Sequence, residues 1–361
     1  MTDGFRRYRV ARKTPESEVI SSFALVPVDG SPVPAFVPGQ FLTFRLDDGS
    51  ASGPLLRHYS LSGDPARRDA YRISVKREGP PSARSGLPPG RGSSFLHDRV
   101  AEGDELSARG PEGAFMLDRD SRRPVVLLSG GVGLTPLLAM AHELARAGDR
   151  SAWFIHACEE RAVQAHGGEI RALAASCASL RVHVRYRRVG ATDIAGVHHD
   201  GEGFVDRAVL QALLPLDDYD VYLCGPAGFM QALYGTLLDL GVREERIRYE
   251  FFGPATVLKR VLERAQEPPA AAPVSGGLPT VTFSTSGKTA PWTGAQQTLL
   301  DFAEAQGLSP AFSCRAGICN TCQCDLVAGE VSYVMEPLDR PPPGTVLLCC
   351  AAPAGNVTVE I

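Results

Sequence analysis

Six of the nine cysteines fall in the final 48 residues, at positions 314, 319, 322, 324, 349 and 350. So dense a cluster of thiols reads as disulfide bridging or metal ligation, and either use dictates how the chain around it folds. The N-terminal residues Met1-Thr-Asp-Gly-Phe-Arg-Arg-Tyr8 lack the apolar run of a secretory signal, and no apolar stretch long enough to span a bilayer follows. A cytoplasmic protein is therefore expected, with no membrane partner. In that reducing setting the cysteines read as metal ligands rather than disulfides. The charge is equally localised. Residues 279–361 hold three basic and seven acidic side chains, which accounts for the whole formal charge of −4, and the rest of the chain balances at 34 of each. Nothing in this distribution offers a basic footprint to nucleic acid.

The remaining sequence divides by periodicity. Short alternating runs broken by Pro and Gly, such as Phe41-Leu-Thr-Phe-Arg-Leu46 and Tyr71-Arg-Ile-Ser-Val-Lys76, predict an antiparallel β-barrel over residues 1–120. From about Arg123 the pattern becomes apolar strand, glycine turn and helix, repeated: 125–128, then 136–144, then 153–156, then 221–223 and 230–240. That alternation predicts a parallel α/β sheet over 121–258. Residues 259–278, rich in Pro, Ala and Gly, read as a linker to a last domain at 279–361. The proline-rich stretch 83–92 has a similar composition and reads as a long loop inside the barrel domain.

Cys314-x4-Cys319-x2-Cys322 with a distant fourth cysteine is the spacing by which plant-type ferredoxins hold a [2Fe–2S] cluster. A zinc ribbon would show two close pairs instead. On the residues alone the fourth ligand is either Cys349 or Cys350. The stretch Val346-Leu-Leu-Cys-Cys-Ala-Ala-Pro353 resembles that of ferredoxin domains fused to flavin reductases, and the resemblance selects Cys349. Cys324 and Cys350 are then packing residues, adjacent strand positions pointing to opposite faces. The domain resembles the β-grasp ferredoxin, with 299–305 as its helix.

Two further motif sets point the same way. Arg57-His-Tyr-Ser60, preceded by Gly39-Gln-Phe41 and followed by Gly92-Ser-Ser-Phe-Leu-His97 and Pro111-x-Gly-x-Phe115, resembles in order and spacing the flavin barrel of the ferredoxin–NADP reductase superfamily. The resemblance implies that Arg57 faces flavin phosphates, that Tyr59 lies on the isoalloxazine and Ser60 near N5, and that Ser93 meets the pyrophosphate at the start of a helix at 94–99. His58 and His97 are read as structural. Ser129-Gly-Gly-Val-Gly-Leu-Thr-Pro136 resembles the nicotinamide motif of the same superfamily: Gly130, Gly131 and Gly133 would admit a diphosphate, Thr135 would cap the helix, and Pro136 would begin it. Cys224-Gly225-Pro226 would place Cys224 beside the nicotinamide, and Glu250 and Phe251 would approach the flavin. Glu159, just past the strand at 153–156, suits a ribose 2′-OH and favours NADH, while the nearby Arg161 leaves NADPH as the alternative.

Together these resemblances imply a three-domain NADH-dependent oxidoreductase, similar to the reductase half of flavohaemoglobins and to phthalate dioxygenase reductase. Hydride would pass from nicotinamide C4 to flavin N5, with FAD or alternatively FMN as the flavin. Single electrons would then reach the cluster and an external acceptor such as an oxygenase or haem protein. Tyr59, Ser60, Cys224 and Glu250 are the expected catalytic groups. A reductase of small acceptors and a redox-sensing module are the alternatives, the latter having no need of a nicotinamide pocket.

Overall fold

A computed structural model describes residues 4–49, 54–79, 90–252, 278–294, 296, 298–308, 310, 322–334, 337 and 341–361. The linker 259–278 apart from Leu278, most of the proline-rich stretch, Cys314 and Cys319 lie outside the described residues. The chain resolves into two compact units, residues 1–252 and 253–361.

The first unit opens with an antiparallel sheet of six strands: β1 (Arg6–Pro15), β2 (Ile20–Pro27), β3 (Phe41–Leu46), β4 (Leu55–Ser60), β5 (Tyr71–Lys76) and β6 (Glu105–Glu112). Their order is β4-β3-β6-β1-β2-β5, and a bridge between Leu61 and Ile73 joins the two edges, closing the sheet as a barrel. Alternation fixes the register: in β1, Tyr8 and Val10 point inward between solvent-facing arginines. Helix α1 (Arg91–Asp98) lies between β5 and β6, beginning three residues before the position expected for it. Lys13 holds its far end, donating to the carbonyls of Leu96, His97 and Val100 at 3.1, 2.6 and 2.7 Å. This is a favourable place for a cation, where helix carbonyls have no partner of their own.

Parallel strands follow: β7 (Val125–Gly130), β8 (Ala152–Cys158), β9 (Leu180–Tyr186), β10 (Gly201–Glu202), β11 (Asp220–Cys224) and β12 (Ile247–Glu250). Helices α2 (Leu134–Ala147), α3 (Gly167–Ser176), α4 (Arg207–Leu213) and α5 (Ala227–Asp239) cross between them. The order β10-β9-β8-β7-β11-β12 puts β7 in the middle, with the chain leaving first to one side and later to the other. All six residues of β7 are buried, as a central strand covered on both faces requires. The crevice outside the carboxyl ends of β7 and β11 is the topological switch point, where open α/β sheets bind ligands.

The second unit contains β13 (Thr280–Phe283), β14 (Lys288–Pro291), α6 (Leu299–Ala305), β15 (Gln323–Ala328), β16 (Val331–Tyr333), β17 (Thr345–Leu347), β18 (Ala351–Pro353) and β19 (Val357–Val359). A mixed five-stranded sheet, β14-β13-β19-β15-β17, is accompanied by the β16-β18 pair. Helix α6 falls at the positions its sequence predicts. Thr298 caps it, accepting from Asp301 N at 3.2 Å, and Phe302 packs on Phe283 and Trp292 with ring centroids 6.1 and 5.1 Å away. A helix laid across a mixed sheet is the β-grasp arrangement expected. Among the described residues no helix is long and apolar enough to cross a membrane.

Phe154, on β8, is 1% exposed within the cluster joining the parallel sheet to α2 and α3. Phe154→Ala is expected to cost about 3–5 kcal/mol in urea denaturation followed by circular dichroism.

Candidate redox site at the switch point

Two turns meet at the carboxyl edge of the parallel sheet. A Cβ on Gly133 would stand 2.4 Å from the Cys224 carbonyl oxygen and 2.7 Å from Gly225 N. A Cβ on Gly225 would lie 3.0 Å from Gly130 Cα, and one on Gly130 would lie 2.9 Å from Pro226 Cδ. These three glycines therefore let the β7–α2 turn and the β11–α5 turn pack backbone to backbone. Gly131 differs: its φ is +52° and nothing lies within 4 Å of its would-be Cβ, so it is the glycine of the run that faces open space.

The helix start departs from expectation. Gly131–Gly133 forms a 3₁₀ turn running straight into α2, whose N-cap is Gly133 and carries no side-chain cap. Thr135 is thus already helical, its hydroxyl donating to Val132 O at 3.1 Å. Pro136 stands third in the helix, where a backbone N–H would have had no intrahelical partner to lose.

Cys224 is fully buried and pairs in register with Ser129 on one side and Glu250 on the other. Burial pushes the Cys224 thiol well up, and the neighbouring Glu250 adds to the shift. The Glu250 carboxyl reaches Ser60 Oγ of the barrel at 3.4 Å. Burial raises it to about 8, against a smaller downward pull from the Ser60 hydroxyl. Three of the four expected catalytic residues, Ser60, Cys224 and Glu250, thus meet at one place. Phe251 follows β12 and makes an edge contact with Tyr249, centroids 5.7 Å apart.

Tyr59 and Arg57 lie on β4 beside the start of α1. A Cβ on Gly92 would come within 2.9 Å of Arg57 Cγ and 3.4 Å of the Tyr59 hydroxyl. A guanidinium, a phenol and a helix N-terminus are thereby brought together, a donor set that fits a phosphorylated aromatic cofactor. Burial raises the Tyr59 hydroxyl, keeping it a neutral donor. Ser93 is used otherwise than expected: its hydroxyl accepts from Glu78 N at 3.1 Å and donates to Gly90 O at 3.0 Å, fixing the entry to α1. His58 stacks on Phe41 at 4.4 Å and His97 contacts Val75 O at 2.8 Å, both structural as read.

Glu159 sits exposed just past β8, between Arg187 at 3.3 Å and Arg188 at 3.5 Å. Arg161 faces Asp193 instead, 3.9 Å away. Sequence reasoning missed the Arg187-Arg188 pair, whose signal was its place just after a β-strand of the parallel sheet. It also missed Phe229, whose ring closes over Gly130 and Gly225.

In the second unit, Cys349 N–H donates to Cys322 Sγ at 3.5 Å, and both residues are buried. A buried sulfur accepting a backbone N–H fits a thiolate ligand. Cys349 and Cys350 lie in a turn rather than on a strand, and that turn sends Cys350 Sγ back to Leu347 O at 3.5 Å. Burial raises the Cys324 thiol to about 12.

Comparison with known proteins agrees with this layout. Residues 127–234 match the oxidoreductase NAD-binding domain, and residues 281–354 match the 2Fe-2S iron-sulfur cluster binding domain. The FAD/NAD-binding domain of nitric oxide dioxygenase from Vibrio cholerae is 38% identical, with a TM-score of 0.59 over 69% of this chain and 99% of that one. The chain belongs to the ferredoxin–NADP reductase superfamily. It is an NAD(P)H-dependent oxidoreductase of that superfamily carrying a ferredoxin-type domain. Phthalate dioxygenase reductase aligns over 99% of this chain and 98% of its own, at 25% identity and a TM-score of 0.62. Flavohemoproteins of Bordetella pertussis and Bacillus thuringiensis are 47% and 40% identical over 70% and 71% of this chain. The aligned part spans 62% of those flavohemoproteins.

Two measurements check this superfamily member's site. Gly133→Ala is expected to cost about 1–3 kcal/mol in urea denaturation, because backbone rather than a mobile side chain must give way. Glu250, raised to about 8 when folded, contributes stability that is present below its unfolded value and lost as pH rises through about 8. Glu250→Gln should flatten that decline between about pH 5 and 8 and raise Tm above wild type at alkaline pH.

Proposed function

We propose that this protein takes electrons from NADH and delivers them singly, through a bound flavin and a [2Fe–2S] cluster, to an oxygenase or haem protein. The observation that carries the reading is the meeting of Ser60, Cys224 and Glu250 where barrel and parallel sheet join, in a chain whose second unit pairs Cys322 with Cys349. A bound flavin can exchange one electron or two, which is the property that links a two-electron pyridine nucleotide to a one-electron cluster.

The domains fall at 1–120, 121–258 and 279–361, with 259–278 as the linker. Arg57 and the start of α1 hold the flavin phosphates, Tyr59 offers its ring, and Gly131 leaves room for the nicotinamide diphosphate. Ser60 and Glu250 provide a hydroxyl and a proton-holding carboxyl beside the reacting rings, and Cys224 fills the space under the nicotinamide. Because that carboxyl is raised to about 8, Glu250 holds a proton at neutral pH and stands uncharged beside the Ser60 hydroxyl. Cys314, Cys319, Cys322 and Cys349 are the cluster ligands. FAD is favoured over FMN because identity to the flavohemoproteins, at 47%, exceeds that to phthalate dioxygenase reductase, at 25%. Glu159 supports NADH by offering a carboxylate to a ribose 2′-OH, and Arg187 and Arg188 beside it keep NADPH as the alternative.

Anaerobic addition of NADH to the purified protein is expected to bleach the flavin and cluster bands rapidly; a spectrum that does not change overturns the proposal. The acidic second unit favours an acceptor with a basic face, so added salt should slow reduction of a protein acceptor well before it slows reduction of a small dye.

A further inference from the structure

Away from the switch point, one carboxylate gathers an unusual number of donors. Glu169, in the first turn of α3, receives Arg72 of β5 through both terminal nitrogens, at 2.9 and 2.8 Å. His142 of α2 lies 2.6 Å from one of its oxygens, and His166, the residue before α3, lies 3.0 Å from the other. The opposite nitrogen of His166 reaches back into the barrel, 3.0 Å from Ser74 Oγ and 3.4 Å from Ser22 Oγ. Arg72, Ser74 and Ser22 belong to the barrel, while His142, His166 and Glu169 belong to the parallel-sheet lobe. His166 has a φ of 56°, a left-handed conformation that residues with a Cβ avoid, and it is 6% exposed. Its backbone is held there by contacts on both sides.

The cluster also connects to the redox site. Arg72 donates through Nη2 to Ser62 O at 2.5 Å, and Ser62 Oγ lies 2.8 Å from Ser74 Oγ. Ser62 follows Ser60 by two residues, and Ser60 is the barrel's contact with Glu250. One guanidinium therefore grips both the carboxylate of the parallel-sheet lobe and the chain two residues past the strand that ends in Ser60. Burial alone would raise the Glu169 carboxyl, but hydrogen bonds from His142, His166 and Arg72 outweigh it and hold the group well below the usual carboxylate range, so it is anionic at any working pH.

We propose that Arg72 and Glu169 are positioning residues for electron input: their clasp sets the two lobes at the separation at which Ser60 meets Glu250. The proposal rests on the function argued above. Neither residue touches the reacting groups; both act through Ser62 and the lobe boundary.

The test is anaerobic rapid mixing of the flavin-loaded protein with NADH, reading flavin absorbance. Glu169→Gln keeps the shape and removes the charge; its limiting rate should fall about tenfold or more, since small misplacements of reacting groups are costly. The NADH concentration at half-maximal rate and the flavin content should stay near wild type. Arg72→Lys, which keeps charge but loses the two-pronged grip, should fall between the two, and it carries the same test where Glu169→Gln fails to fold. Leu144→Val, a core variant on α2, provides the comparison at similar loss of Tm and should keep the wild-type rate. If Glu169→Gln matches wild type, or if Leu144→Val slows as much, the clasp is only structural and the proposal is overturned. If wild type itself is not reduced by NADH, the function reading falls and takes this one with it.

Discussion

The close approach of two glycine turns at the carboxyl edge of the parallel sheet is the constraint on which the rest of the first unit depends. Strands β7 and β11 are neighbours in the sheet, and each ends in a turn that must start a helix. With a Cβ on Gly133 only 2.4 Å from the Cys224 carbonyl, the two turns have no room for any other residue there. That approach sets where α2 and α5 begin and brings Cys224 to the edge of the crevice. It also divides the glycine run into two kinds of residue. Gly130 and Gly133 are used up in holding the turns together, and Gly131 alone of the three has open space beside its backbone. The glycine-rich turn before α2 is therefore a packing device.

Two carboxyl groups at the boundary between barrel and parallel sheet show how opposite environments set opposite charge states. Glu250 has one weak hydroxyl partner, Ser60, and desolvation raises it to about 8. Glu169 is half-buried, yet a guanidinium and two imidazoles hold it ionised. The first holds its proton without charge, and the second makes an ionic link between barrel and parallel-sheet lobe. Placing a charge at Glu250 would cost solvation energy that the single Ser60 hydroxyl only partly offsets, whereas removing the charge at Glu169 would leave the Arg72 guanidinium without its ionic partner.

Much of this was legible in the sequence because local signals and tertiary demands agreed. The strands at Phe41–Leu46 and Tyr71–Lys76 and the helix at Leu299–Ala305 fall where their periodicity puts them, each with one face to bury. The Cys-Gly-Pro and Gly-Gly-Val-Gly motifs could be placed at strand ends because glycine and proline mark such turns. What could not be read depends on contacts between distant segments. Thr135 has the chemistry of an N-cap, and only the preceding 3₁₀ turn, itself imposed by packing against Cys224, moves the cap to Gly133. Ser93 has the chemistry of a phosphate ligand, but its hydroxyl is claimed by Glu78 N across 15 residues. The clasp at Glu169 joins residues 97 apart and leaves no periodic trace at all.

The adjacent cysteines near the C-terminus illustrate the same limit at the smallest scale. Strand alternation predicts that Cys349 and Cys350 face opposite ways, and they do differ, but not for that reason. The chain leaves β17 at Leu347 and turns, and in the turn the Cys349 amide faces Cys322 while the Cys350 thiol folds back on Leu347 O. The turn is in turn anchored on both sides, with Leu348 donating to Cys322 O at 3.2 Å and accepting from Leu300 N of α6 at 3.0 Å. The apolar face of α6, buried against Phe283, thus fixes the turn, and the turn decides which of two chemically identical neighbours is presented to Cys322. Which of the two neighbours turns its amide to Cys322 is thus set by the packing of a seven-residue helix.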